Sequence, residues 1–134
     1  MTRLTRVPNR KRTRTFTFQL GGDNGAVQNH VLAILEGGLI ITNHTIDVPT
    51  VLQQDPLGAG TSQVSIHIPA TGTTILSQRN YNSAPFDGSA PARVAGPYKT
   101  PGGNNQTTSV FLTIHNRAVS GGVVNYHIEY YNTI

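Results

Sequence analysis

Hydrophobic and polar positions alternate over most of this chain, with the two-residue period of a half-buried strand. In Thr15-Phe16-Thr17-Phe18-Gln19-Leu20 the pattern turns Phe16, Phe18 and Leu20 toward a core. Gly21-Gly22-Asp23-Asn24-Gly25 follows as a turn. Val64, Ile66 and Ile68 alternate with Ser65 and His67 until Pro69 ends the run, and Thr73 to Gln78 makes the next strand after Ala70-Thr71-Gly72. Val110, Leu112 and Ile114 alternate with Phe111, Thr113 and His115. Val124, Tyr126, Ile128 and Tyr130 alternate in the same way with Val123, Asn125, His127 and Glu129.

Three segments depart from this pattern. In Ala26 to Leu35 the spacing of Val27, Val31, Ile34 and Leu35 fits a helix, with Asn24 as its cap and Gly37 as its stop. Val27, Val31 and Leu35 fit a strand as well, and the strand is preferred because nothing else in the chain looks helical. Leu39 to Thr42 reads as a strand, whereas Thr45 to Leu52 contains Pro49 and is expected as an edge or broken strand. Tyr81 to Gln106 carries Pro85, Pro91, Pro97 and Pro101 without clear periodicity. It is expected as a long loop whose Tyr81, Phe86, Arg93, Tyr98 and Lys99 reach a neighbouring subunit or a ligand; the alternative is a surface excursion with one short strand near Arg93 to Ala95. Seven to nine short strands separated by turn residues predict an all-β fold, an antiparallel β-sandwich that is jelly-roll-like or a small barrel.

Charge divides the chain in two. Arg3, Arg6, Arg10, Lys11, Arg12 and Arg14 lie within the first 14 residues, where there is no acid. The remainder sets Arg79, Arg93, Lys99 and Arg117 against Asp23, Glu36, Asp47, Asp55, Asp87 and Glu129, four against six, a net charge of −2. The expected organisation is a basic, extended N-terminal arm over 1–14 and a single β-sandwich domain over 15–134. Charged residues make up 12% of the chain, against about 25% in ordinary domains. The body is rich in Thr, Asn, Ser and Gly, a composition similar to that of β-rich extracellular and virion proteins, many of whose surfaces face other subunits. Cysteine is absent, which excludes disulfides and thiolate zinc sites. No apolar run approaches the ~20 residues of a membrane span, so no membrane partner is expected. No secretory leader is expected either, because the basic N-terminus has no apolar stretch behind it.

Chemistry is sparse. No nucleophile elbow, P-loop or dinucleotide-binding glycine motif is present, and no two acids lie close in sequence. His30, His44, His67, His115 and His127 show no metal-ligand spacing; His67, His115 and His127 fall on polar strand faces, where cross-strand hydrogen bonding is the expected role. No catalytic residue, metal or cofactor is assigned. The sequons at Asn43 and Asn105 carry no weight without a leader. Arginine binds phosphate and carboxylate through planar paired hydrogen bonds. Arg3, Arg6, Arg10, Lys11, Arg12 and Arg14 are accordingly the candidate contacts to nucleic acid or to an acidic protein surface.

The arm from Met1 to Arg14, followed by a cysteine-free β body rich in Thr, Asn and Gly, resembles small viral structural proteins. The resemblance is to jelly-roll coat proteins and to the β-sandwich decoration or minor capsid proteins of bacteriophages. It implies a non-enzymatic protein of the virion, homo-oligomeric as a trimer or within an icosahedral lattice, with the arm on nucleic acid or on the capsid shell. A second reading is a sugar- or receptor-binding module of a viral fibre. A third is a small hydrolase using Asp87, Glu129 or a histidine.

Overall fold

A computed structural model of the chain describes residues 10–103 and 105–132. Eight strands follow one another: β1 (Arg12–Leu20), β2 (Asn29–Glu36), β3 (Leu39–Gln54), β4 (Gln63–Ile68), β5 (Thr73–Asn80), β6 (Ala92–Lys99), β7 (Thr107–His115) and β8 (Val119–Asn132). Sheet I has the order β1-β8-β3-β6 and sheet II the order β2-β7-β4-β5. Antiparallel pairing joins β1 to β8, β2 to β7, β3 to β6 and β4 to β5. These are the nested pairs of one long hairpin rolled into two layers, and the sandwich is a jelly roll.

The inward residues of both sheets form one core. Phe16, Phe18 and Leu20 of β1 face it as the alternation predicts, with Val124, Tyr126 and Ile128 of β8 and Ile41, Ile46 and Val48 of β3. Val64, Ile66, Ile68, Val110, Leu112 and Ile114 supply the opposing layer. Burying such side chains yields roughly 1.5–3 kcal/mol each. That term drives the two layers together.

The departures from expectation each have a local cause. The segment that fits both helix and strand is β2. Its register breaks at Leu32, so Leu32 and Ala33 both point inward while Val31 and Ile34 point out. A bulge inserts one residue into the period of two and imitates helical spacing. The two strands expected around Thr42 are one strand, β3, bent at bulges after Ile41 and after Asp47. It is central rather than an edge, but its pairing with β6 stops at Ile46. From Asp47 onward only β8 flanks it, and Pro49 falls in the register break between Asp47 and Thr50, where its missing N–H removes no ladder bond.

The expected loop over 81–106 contains the full strand β6, longer than the short strand allowed near Arg93 to Ala95. Gly96 and Pro97 hide its alternation. Pro97 is tolerated because β6 is an edge, and Gly96 is required because a Cβ there would lie 2.2 Å from the Ile41 carbonyl oxygen. What remains of the loop before β6 is fastened down. Leu52 N–H donates to the Phe86 carbonyl at 3.2 Å, Tyr81 N–H to the Ser62 carbonyl at 2.9 Å, and Phe86 is 0% exposed. Phe86 therefore plugs the end of the core instead of reaching a neighbour.

Two histidines enter the core. His30 bonds the Ala26 carbonyl at 2.8 Å. His44 Nδ1 lies 2.6 Å from the Tyr126 hydroxyl, and the two rings stack with centroids 5.8 Å apart. Burial lowers the His44 pKa to about 4 and raises that of Tyr126, so the pair is neutral on both sides.

Two outcomes follow from this packing. Phe86→Ala lowers unfolding free energy by about 3–5 kcal/mol in urea titrations, whereas a contact residue on a solvated loop would change it little. The second concerns pH. Above pH 6.5 His44 is neutral in both the folded and the unfolded chain. As pH falls through 6.5 the unfolded chain takes up a proton that the native state refuses until about 4. Stability therefore drops on acidification, by about 2 kcal/mol near pH 5 from this residue. The drop between pH 6.5 and 5 is shallower in His44→Phe, as measured by urea titration at each pH.

Candidate functional site

The cations expected in the arm divide on inspection. Arg3 and Arg6 lie outside the described residues. Arg10 is exposed ahead of β1. Lys11 Nζ is 3.0 Å from Glu129 Oε2 on β8. Arg12, Thr13 and Arg14 belong to β1, because they pair in register with Tyr130, Glu129 and Ile128 of β8 although all three are polar and exposed. Arg14 Nη1 is 3.6 Å from Glu36 Oε1 at the end of β2, and its guanidinium sits 4.8 Å above the Phe16 ring. That contact straps sheet I to sheet II along their open side. The body thus begins within the segment expected as arm, and two of the six arm cations already meet acids of their own chain.

Glu129 is the organising acid of the outer face of sheet I. It accepts from Lys11 and, at 3.0 Å, from Asn43 Nδ2 on β3. The hydrogen bond from Lys11 and then that from Asn43 hold its carboxyl below the usual range, with Arg93 on β6 adding to the effect. The same bond raises the Lys11 ammonium. Thr13, Glu129 and Asn43 lie side by side across β1, β8 and β3, and Thr15, His127, Thr45 and Arg93 form the next row across all four strands. Thr15 Oγ1 lies 2.7 Å from His127 Nδ1 and Thr17 Oγ1 donates to Asn125 Oδ1 at 2.8 Å. Lys99 is opposite Ile40 at the same end of the sheet. Arg10, Lys11, Arg12, Arg93 and Lys99 therefore converge on one end of one sheet, although they come from opposite parts of the sequence.

The other expected contact residues are placed differently. Tyr81 and Tyr98 are half-buried and pack against the core, and the Tyr98 hydroxyl lies 3.0 Å from Thr71 Oγ1. With Phe86 internal, Arg93 and Lys99 alone of that group are exposed.

The histidines on polar faces make cross-strand contacts, as the sequence predicts. His115 Nε2 is 2.9 Å from Ser65 Oγ, and the His67 ring is 6.3 Å from that of Phe111. Partial burial, then the nearness of His67, lowers the His115 pKa. A shallow cleft of about 410 Å³ opens beside His67, lined by Ser65, Thr73, Thr74, Ser77 and Gln78. Among the described residues no group of histidines and acids is placed to hold a metal. Asp87 accepts from Ser89 N–H at 2.9 Å in the loop before β6, while Glu129 serves the opposite end of the sandwich. The two acids named for a hydrolase are therefore not brought together.

The fold is similar to several solved structures. A chain of the cyanophage Pam1 capsid asymmetric unit matches with a TM-score of 0.66 at 17% identity, over 98% of this chain and 91% of that one. A chain of the acid-stable capsid of Helicobacter pylori bacteriophage KHP30 gives 0.59 at 12% identity over 94% of each. A chain of the capsid of Ralstonia phage GP4 gives 0.59 at 16% identity, over 98% and 90%. No protein-family model matches the chain, and no curated protein does. The architecture read from alternation alone is thus that of a capsid-like β-sandwich, shared nearly end to end with chains from three phage capsids.

Proposed function

We propose that this protein is a non-enzymatic structural subunit of a bacteriophage virion, a capsid coat, minor capsid or decoration protein that self-assembles within the icosahedral lattice. The observation that carries this reading is the end-to-end likeness to chains of three phage capsids. The charge-poor surface supports it, because Thr, Asn and Ser that find hydrogen-bond partners across a contact cost far less to desolvate than charged side chains do. In this reading the basic N-terminal segment attaches the subunit to an acidic face of the shell. Cation bookkeeping favours the shell over the genome. Lys11 and Arg14 pair with Glu129 and Glu36 within the chain, leaving Arg10 and Arg12 among the described cations of this segment for a partner. Phosphate binding gains from each cation that displaces a counterion, and few remain.

Size-exclusion chromatography with light scattering on the full-length protein, recorded at 260 and 280 nm, tests this. The expected result is a homo-oligomer free of nucleic acid, with a spectrum that nuclease leaves unchanged. A large species whose 260 nm absorbance falls on nuclease treatment would assign the arm to the genome. A monomer at every concentration would end the assembly reading. In the same preparation, removing residues 1–9 leaves the melting temperature unchanged. Removing 1–14 lowers it, because that cut takes the first residues of β1 together with the Arg14–Glu36 strap.

A further inference from the structure

A β-sandwich has four sheet edges, each a row of backbone groups able to pair with another chain. Three of them are blunted here. β2 carries the bulge at Leu32. β5 loses register twice along β4. β6 is interrupted by Gly96 and Pro97, and proline has no N–H to offer. β1 is different. Its nine residues, from Arg12 to Leu20, pair with β8 in unbroken register and include neither proline nor glycine. They are rich in Thr and Phe, which favour strands. Its inward Phe16 and Phe18 pack on the core yet remain only half-buried.

We infer that β1 is a pairing edge, and that its occupant is β1 of a second copy, antiparallel about a two-fold axis at Phe16. This rests on the reading of the protein as a self-assembling subunit, and it names the contact. The charges select the direction. A parallel neighbour would set Arg12 beside Arg12 and Arg14 beside Arg14. The antiparallel arrangement sets Arg12 opposite Leu20, and Arg14 opposite Phe18, of the second copy. Arg14 is moreover engaged by Glu36 and Lys11 by Glu129 within the same chain, so neither brings a bare charge to the contact. The parity is self-consistent as well. Full overlap sets even residues against even, so Phe16 meets Phe16 and Phe18 is covered by Arg14 of the second copy, while the Thr rows continue across the outer face. Two four-stranded sheets would join into one of eight strands, through a two-fold contact of the kind an icosahedral lattice supplies.

The chain has no cysteine, so an introduced thiol reports on one position. In this register Thr15 of one copy faces Thr17 of the other. Full-length Thr15→Cys and Thr17→Cys proteins are mixed, oxidised mildly and resolved without reductant. Thr74→Cys, exposed on β5, is the control. The expected result is at least about tenfold more covalent dimer in the mixture than in the control, with an even-numbered assembly by light scattering. Where either thiol lowers the melting temperature, Thr13→Cys with Gln19→Cys reads the same register. An oligomer whose β1 thiols do not cross-link overturns this contact while leaving the assembly reading intact. Equal cross-linking of mixture and control, which is random collision, also overturns it. A monomer at all concentrations overturns both.

Discussion

The pairing of β8 with β1 on one side and β3 on the other is the constraint on which the rest of this structure depends. β8 is the interior strand that holds sheet I together. Its inward Tyr126 stacks on both Phe16 of β1 and His44 of β3. Its outward Glu129 gathers Lys11 and Asn43 from the same two neighbours. One strand therefore sets the core aromatic packing on one face and the charge arrangement on the other. Changes in β8 register would move both, because a one-residue slip exchanges the two faces.

The basic segment is best understood through this strand. As a run of sequence it looks like a solvated tail, and six cations in 14 residues suggest a polyanion-binding arm. Within the fold, Lys11 and Arg14 are structural. They anchor the start of β1 to β8 and to β2, each across a gap of more than 20 residues of sequence. Exposed ion pairs of this kind contribute little stability singly. Their effect is to fix where β1 begins on the sheet.

Fold class was legible because strict alternation in β1, β4, β7 and β8 survives in the structure without interruption or with little. The less legible parts share one physical cause. β2, β3 and β6 carry bulges, or a Gly-Pro pair, that break the two-residue period. A bulge is stabilised by its neighbours in space, which the local sequence does not name. His44 and Tyr126 are a related case. His44 is in phase with Ile46 and Val48, a usable sign of an inward position, but its partner lies 82 residues away. The convergence of Lys11, Arg93 and Lys99 on one sheet end likewise depends on strand order, and strand order cannot be read from spacing. Phe86 was hidden because a buried plug and a contact side chain look alike in a proline-rich stretch.

The nesting of the strand pairs also dictates a folding schedule. β4 and β5 are joined by a short turn and can meet as soon as both exist. β3 with β6, and β2 with β7, enclose progressively longer stretches of chain. β1 comes last, since Thr15 finds His127 only across 112 residues. Loop-closure entropy makes such distant pairings slow. On the ribosome, β1 is among the first strands to emerge and must stay unpaired until β8 has cleared the exit tunnel. During that interval its alternating Thr and Phe residues have no partner strand, which makes β1 the segment of this fold longest exposed to pairing with the wrong chain.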